Sequence, residues 1–188
     1  LATFLYLVRF AAEPFPGEFS VDPSTSLAKL VVLLLAIPVL MLSYREFNRS
    51  ASYHILLLSS LYGACLLLSS DSYLTLFLGL ELLSLPVYVL VLIKHETAQT
   101  LEAALKYLVL GGAATATFLL GVALLYGGTA SLSLASFTIA LGLHDGMAVT
   151  AVVLVLIAFF LKAAIVPFHA WAPDAYESAS VPVTAYMA

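Results

Sequence analysis

Three ionisable residues stand in apolar surroundings where a charge is expensive: Glu81 in "DSYLTLFLGLELLSLPVYVLVLIKH", Lys106 in "TLEAALKYLVLGGAATATFLLG" and Lys162 in "AVTAVVLVLIAFFLKAAIVPFHAWAPDAYE". Between Tyr73 and Ile93 nothing except Glu81 ionises near neutral pH. A charge at the centre of a bilayer-spanning helix costs about 2.5–3.5 kcal/mol on insertion scales, so such residues pair with each other or serve an ion pathway. A neighbouring cation favours the ionised form of a carboxyl group and burial favours the neutral form, so a buried Glu–Lys site can take up and release a proton.

The residues around each charge sharpen that chemistry. Pro86 lacks an N–H, which frees the Leu82 carbonyl beside Glu81 to accept from water or a side chain. Glu81 precedes Lys94 by thirteen residues, about 20 Å along a helix, and so belongs near mid-membrane. Lys106, roughly 9 Å from the same surface, is expected on the neighbouring helix within reach of Glu81 through long side chains and water. Past it, Gly111, Gly112, Ala113, Ala114 and Ala116 offer a surface for close helix approach. Lys162 is followed by Pro167, His169, Trp171, Pro173 and Asp174. Prolines 167 and 173, with polar side chains between them, predict a discontinuous helix broken around 167–175, a feature tolerated at membrane depth only inside protein or beside water. Glu81 is the expected acid for Lys162. His169 reads either as the next proton acceptor or as a histidine bonded to the broken backbone. Glu102 suits the first turn of its helix, and Asp174 and Glu177 read as loop and cap residues.

The elements that hold these residues follow from composition. The chain is 63% hydrophobic and 10% charged, where soluble domains run near half and a quarter, so it reads as a membrane protein. It has no basic patch, which removes nucleic-acid binding from consideration. Cys65 stands alone in an apolar run and reads as a small buried residue. No nucleophile motif, phosphate loop, haem signature or metal-ligand spacing occurs, so no redox chemistry, cofactor or metal is assigned to this chain.

The fold expected is all-α: one polytopic transmembrane domain over 1–188, with helices at about 1–12, 26–44, 54–70, 73–93, 100–126 and 147–168 and a further one from about 181. Residues 131–146 are too short and mixed to span and are expected along the interface. The chain begins within one apolar run and stops within another, with no signal peptide visible, so it reads as a piece of a longer protein. Arg45 and Arg49 mark the 45–53 connection and Lys94 the 94–99 connection, whereas Glu13, Glu18, Asp22, Asp71 and Asp145 mark the alternate ones. Positive charge collects on the cytoplasmic side, which places 45–53 and 94–99 there and 71–72 outside. Arg9 and Lys29 depart from the pattern and can snorkel.

The segments "FLGLELLSLPVYVLV", "TLEAALKYLVLGGAATATFLLGVALLYGGTASL" and "FLKAAIVPFHAWAPDAYESASVPVTAYMA" resemble the antiporter-like membrane subunits of respiratory complex I, most nearly their N-type branch. The resemblance covers about 71–188, and the same fold occurs in multisubunit cation/proton antiporters. It implies a proton-translocating module of two inverted repeats, this chain holding most of the first. It also implies proton-pathway roles for Glu81, Lys106, Lys162 and His169, and a multi-pass protein of the bacterial inner membrane. Flavin, iron–sulfur clusters and quinone are expected in partner subunits of an NADH:quinone oxidoreductase. The rival expectations are a cation/proton antiporter subunit and a membrane scaffold whose buried charges fix packing.

Overall fold

In the computed structural model of this chain, residues 12–93, 97–143 and 145–188 are described. They form a short hairpin, β1 (Ala12–Phe15) and β2 (Phe19–Val21), then helices α1 (Pro23–Phe47), α2 (Ala51–Leu67), α3 (Tyr73–Leu92), α4 (Ala98–Thr129), α5 (Ser136–Leu143), α6 (Gly146–Lys162), α7 (Ala172–Ser178) and α8 (Val181–Met187). The expected helix over 1–12 lies outside the described residues except for Ala12, which opens β1, and so do Arg9 and Lys94.

The bundle is built from two close helix pairs, α2 with α3 and α4 with α6, joined where α3 meets α4. Gly63 shows why the first pair is so close. A Cβ there would run into the Leu82–Leu83 backbone of α3, so only hydrogen lets the two backbones meet. Helices α1 and α8 cover the α2–α3 pair, and α5 lies against α4 and α6. Two apolar clusters result. One joins Leu57, Leu61, Leu90, Ala104 and Val183, and the other joins Tyr73, Phe118, Val122, Val152 and Val155. Along both α3 and α4 the stretch between the two clusters contains Glu81 and Thr115.

Helices α1, α3 and α4 are long and apolar enough to cross a membrane, and α1 exposes Leu34, Leu35 and Met41. The chain is an integral membrane protein. Helices α2 and α6, of 17 residues each, are about 25 Å long and at the short end for a span. Helix α4, with 32 residues, is about 48 Å long against a hydrocarbon core of about 30 Å. Its surplus length includes the polar first turns, with Gln99, Glu102 and Lys106.

The helices bear out the all-α expectation, to which the short hairpin is a local addition at one end, explained by its turn chemistry. Pro16 and Gly17 occupy the centre of a β-turn closed by Glu18 N–H to the Phe15 carbonyl at 3.0 Å, and Gly17 adopts φ +78°. The hairpin ties three connections into one end of the bundle. Asp71 N–H donates to the Glu18 carbonyl, Ser20 N–H to Ser69, Tyr73 N–H to Leu132, and Leu134 N–H to Asp71. Glu18 also takes the Ser72 hydroxyl at the start of α3. The hairpin carries Glu13, Glu18 and Asp22 and the 68–72 connection carries Asp71, and none of the three connections carries lysine or arginine. Within the 131–146 segment, residues 136–143 are helical.

Helix α6 ends at Lys162, six residues before the position expected from the sequence. A proline ring clashes with the carbonyl four residues earlier, here that of Ala163, and Pro167 therefore keeps 163–166 from continuing the helix. The end is closed by Ile165 N–H to the Phe160 carbonyl at 2.9 Å, with Ala164 at φ +53° in the left-handed place that glycine usually fills. Pro173, expected as part of the break, instead lies in the first turn of α7, where a missing N–H costs no hydrogen bond.

Candidate functional site

Glu81 is the ninth residue of the 20-residue α3, so the helix itself places it near mid-depth. Lys162 reaches it from the C-terminal end of α6, with Nζ 3.0 Å from Glu81 Oε1 and 3.2 Å from Ser84 Oγ. Two features of the fold favour a cation there. The break exposes the last carbonyls of α6, whose dipole end attracts positive charge, and Lys162 is the basic residue of that last turn. Ser84, one turn after Glu81 on the same helix face, donates its own proton to the Leu80 carbonyl at 2.7 Å and so presents a lone pair to the lysine.

From α4, the Thr115 hydroxyl lies 2.6 Å from Glu81 Oε1. The same carboxylate oxygen therefore receives an ammonium and a hydroxyl, both on the charged form. The pair opens onto a narrow crevice whose walls include Phe77, Leu80, Ala114, Phe118 and Phe159. Apart from the charged pair and Thr115, its lining is apolar. In such surroundings the pair depends on its own hydrogen bonds.

Lys106 does not join this site. It binds Asp174 at 2.7 Å and Glu102 at 2.8 Å, and with Glu177 these residues line a polar crevice between the start of α4 and α7. Helix geometry explains why the expected reach to Glu81 fails. Nine residues separate Lys106 from Thr115, about two and a half turns, so the two side chains leave α4 on opposite faces and about 14 Å apart along its axis. Glu102 and Asp174, expected as helix-terminus residues, are instead ion-pair partners. Asp174 does also lie in the first turn of α7. His169 lies in the broken segment, exposed, with its carbonyl accepting from Ala172 N–H at 3.0 Å.

The broken segment is fastened by Trp171. Its indole N–H donates to the Leu161 carbonyl at 2.9 Å, satisfying a carbonyl that the end of α6 leaves weakly bonded, and its ring stacks on Tyr107 at 4.3 Å. Tyr107 in turn meets Tyr88 edge-on at 4.4 Å. These rings lie between the level of Lys106 and that of Glu81. Near Pro86, it is the Leu83 carbonyl, next to the expected Leu82, that accepts a side-chain hydroxyl: Ser60 donates to it at 2.7 Å and itself accepts from Tyr186 at 2.7 Å. In the expected small-residue surface, Gly111 abuts the Tyr88 hydroxyl, whereas Gly112 faces open space.

Thr115 and Ser84 are the functional candidates that sequence reasoning missed. Ser84 had a signal, since position i+3 from Glu81 shares its face. Thr115 had a weaker one, a hydroxyl among the small residues of a helix expected to pack closely.

Residues 70–188 match the family described as NADH:quinone oxidoreductase/Mrp antiporter, TM. NADH-quinone oxidoreductase subunit N of Pelobacter propionicus is 37% identical over 179 residues, covering 95% of this chain and 38% of that protein. Among solved structures, a chain of respiratory complex I from Thermus thermophilus with bound aureothin aligns with a TM-score of 0.82 at 36% identity, covering all of this chain and 41% of that one. A chain of the Mrp complex from a Dietzia species aligns with a TM-score of 0.73 at 26% identity, covering 98% of this chain and 37% of that one. The chain thus spans about two fifths of the length of the relatives it matches.

Proposed function

This chain belongs to the NADH:quinone oxidoreductase/Mrp antiporter transmembrane family, and from that premise we propose that it is part of a proton-translocating membrane subunit of an NADH:quinone oxidoreductase. The observation that carries the reading is the Glu81–Lys162 ion pair at 3.0 Å, held in an apolar crevice at the broken end of α6. A charge separation that costly is useful when it can be changed. When Glu81 and Lys162 are both charged they stabilise each other, and an incoming proton on Glu81 removes that attraction and frees the lysine to release its own proton.

Lys106, with Glu102, Asp174 and Glu177, forms the polar mouth at which protons gather, and the exposed His169 in the broken segment is the next acceptor after Lys162. The mouth faces the cytoplasm of a bacterial cell, on the side of 45–53 and 94–99, and the hairpin end faces outward. NADH oxidation, flavin, iron–sulfur clusters and quinone belong to partner subunits, and this chain responds to quinone reduction elsewhere through electrostatics along the membrane. Relatives named as subunit N, at 35–38% identity, support this assignment.

A second reading, a subunit of a cation/proton antiporter, is favoured by the likeness to the Mrp chain, at lower identity than to the complex I chain. The two readings differ in the partners that co-purify, and mass spectrometry of the assembled complex separates them.

The test of the role itself is Glu81→Gln in the full-length subunit. The neutral amide keeps the shape and is cheaper in oil, so the complex assembles at its normal level while proton flux into reconstituted vesicles falls. Normal assembly with undiminished flux reduces Glu81 to a packing residue.

A further inference from the structure

The Thr115 hydroxyl has one proton and two acceptors within reach: Glu81 Oε1 at 2.6 Å and the carbonyl of Gly111, one turn earlier on its own helix, at 3.1 Å. It cannot serve both fully at once. The shorter contact has the length of a hydroxyl donating to an ionised carboxylate. The longer one is the back-bond that threonine makes in many helices, available whenever the carboxylate no longer needs the proton. No other hydroxyl at the site has this freedom. Ser84 is committed to the Leu80 carbonyl at 2.7 Å, with Lys162 donating to its oxygen.

We propose that Thr115 is a positioning residue for the proton on Glu81, its hydroxyl donating to Oε1 when Glu81 is ionised and turning to the Gly111 carbonyl, while accepting from Glu81, when Glu81 is protonated. This rests on the reading above that Glu81 takes up a proton. The exchange moves only a hydroxyl hydrogen. Carbon and oxygen positions stay as they are, so a proton arriving on Oε1 finds an acceptor lone pair already 2.6 Å away. In an apolar crevice that matters, because a protonated carboxyl without an acceptor leaves a buried donor unpaired.

The surroundings of Glu81 leave this role to Thr115. Lys162 of α6 is the charged group that faces it. Tyr88, two turns on along α3, is in electrostatic reach. Lys106 of α4 is held by Glu102 and Asp174, while Tyr186 of α8 donates to Ser60 of α2 at 2.7 Å. Among the described residues Glu81 Oε2 has no hydrogen-bond partner, so both recorded bonds meet at Oε1.

The experiment is difference infrared spectroscopy across a pH titration of the assembled complex, alongside proton flux in vesicles. The carbonyl band of protonated Glu81 is identified by its loss in Glu81→Gln. Thr115→Val, which keeps the shape without the hydroxyl, is expected to move that band to higher frequency and to lower flux about tenfold, the effect of losing a hydrogen bond to a charged group. Thr115→Ser, which keeps the hydroxyl, is expected to restore both. If Thr115→Val does not assemble, Thr115→Ala is read in the same way. A band that stays in place without the hydroxyl overturns the proposal, and so does the absence of any Glu81 carbonyl band in the wild type. Undiminished flux in Glu81→Gln sinks the functional reading instead, and leaves the band shift to judge Thr115 on its own.

Discussion

Among the described residues two lysines, Lys162 and Lys106, make the ion pairs given above, and their surroundings differ in every respect that matters. Lys162 and Glu81 are 14% and 21% exposed, meet at 3.0 Å in an apolar crevice, and share two hydroxyl groups. Lys106, Glu102 and Asp174 are 46%, 65% and 42% exposed and sit in a polar crevice between α4 and α7. Exposed pairs contribute little because water solvates each partner as well as the other does. A largely buried pair is another matter, since removing one partner strands a charge, at a typical cost of about 3–5 kcal/mol unless the survivor sheds its own charge. The same pair of residue types therefore forms a replaceable surface feature in one place and a high-stakes element in the other. A protein that needed only helix packing could put apolar side chains at 81 and 162 at no loss of stability.

The largest effect that separates the two regions is expected from Lys162→Met. Without the ammonium the pathway loses a proton-transfer group, and the flux that runs through this chain falls about a hundredfold or more, the scale of general acid–base assistance. Vesicle flux at matched assembly measures it. Equal losses from Lys162→Met and Lys106→Met would erase the contrast between the regions.

A smaller effect is expected at the polar mouth. Lys106→Met leaves Glu102 and Asp174 exposed to water and assembly intact, and flux falls by less than about tenfold, through the local field and not through a lost transfer step. Raising the salt concentration should shrink the difference between this variant and wild type, since exposed charges are screened and the buried pair is not.

How far the sequence foretold these regions depends on the kind of signal each leaves. Glu81 and Lys162 stand out because a charge in an apolar run is a strong one-dimensional signal, and their pairing follows from the shortage of other acids. The long helices α1, α3 and α4 stand out for the same reason. The partner of Lys106 is not legible in the same way, because depth along a helix does not specify the face. Nine residues reverse the face, which pairs Lys106 with Asp174 on a segment sixty-eight residues away. The hairpin at 12–21 was hidden because a Pro–Gly turn flanked by short strands looks like any acidic loop. Thr115 and Ser84 were hidden for a different reason. Hydroxyl side chains in apolar helices usually bond back to their own backbone, as Thr117 does to Ala113 at 2.8 Å, and only the tertiary fold selects the two that meet a charge.

The smallest effect is expected at the hairpin end, where titration touches only one helix terminus. Asp22 caps α1, and the Thr25 N–H, assisted by the Ser24 hydroxyl, holds its carboxyl below the usual aspartate range. A lowered value in the folded state means that the cap contributes in full above the unfolded value of about 3.9 and is lost as pH falls through the lowered one. Amide exchange at Thr25 should speed up over that acid window in the wild type relative to Asp22→Asn, which keeps an acceptor oxygen at all pH values. Flux through the chain should be the same in both at neutral pH. A flux defect in Asp22→Asn would mean that this end of the bundle is coupled to the buried pair.

Lys162→Arg tests most directly whether the buried pair works by releasing a proton. Arginine keeps the positive charge and can bond Glu81, but it does not give up its proton in proteins. If Lys162 alternates between holding and releasing a proton, vesicles reconstituted with the assembled arginine variant will show flux nearly as low as those with methionine. Wild-type flux in the arginine variant would show that a fixed charge suffices, and would remove Lys162 from the proton path.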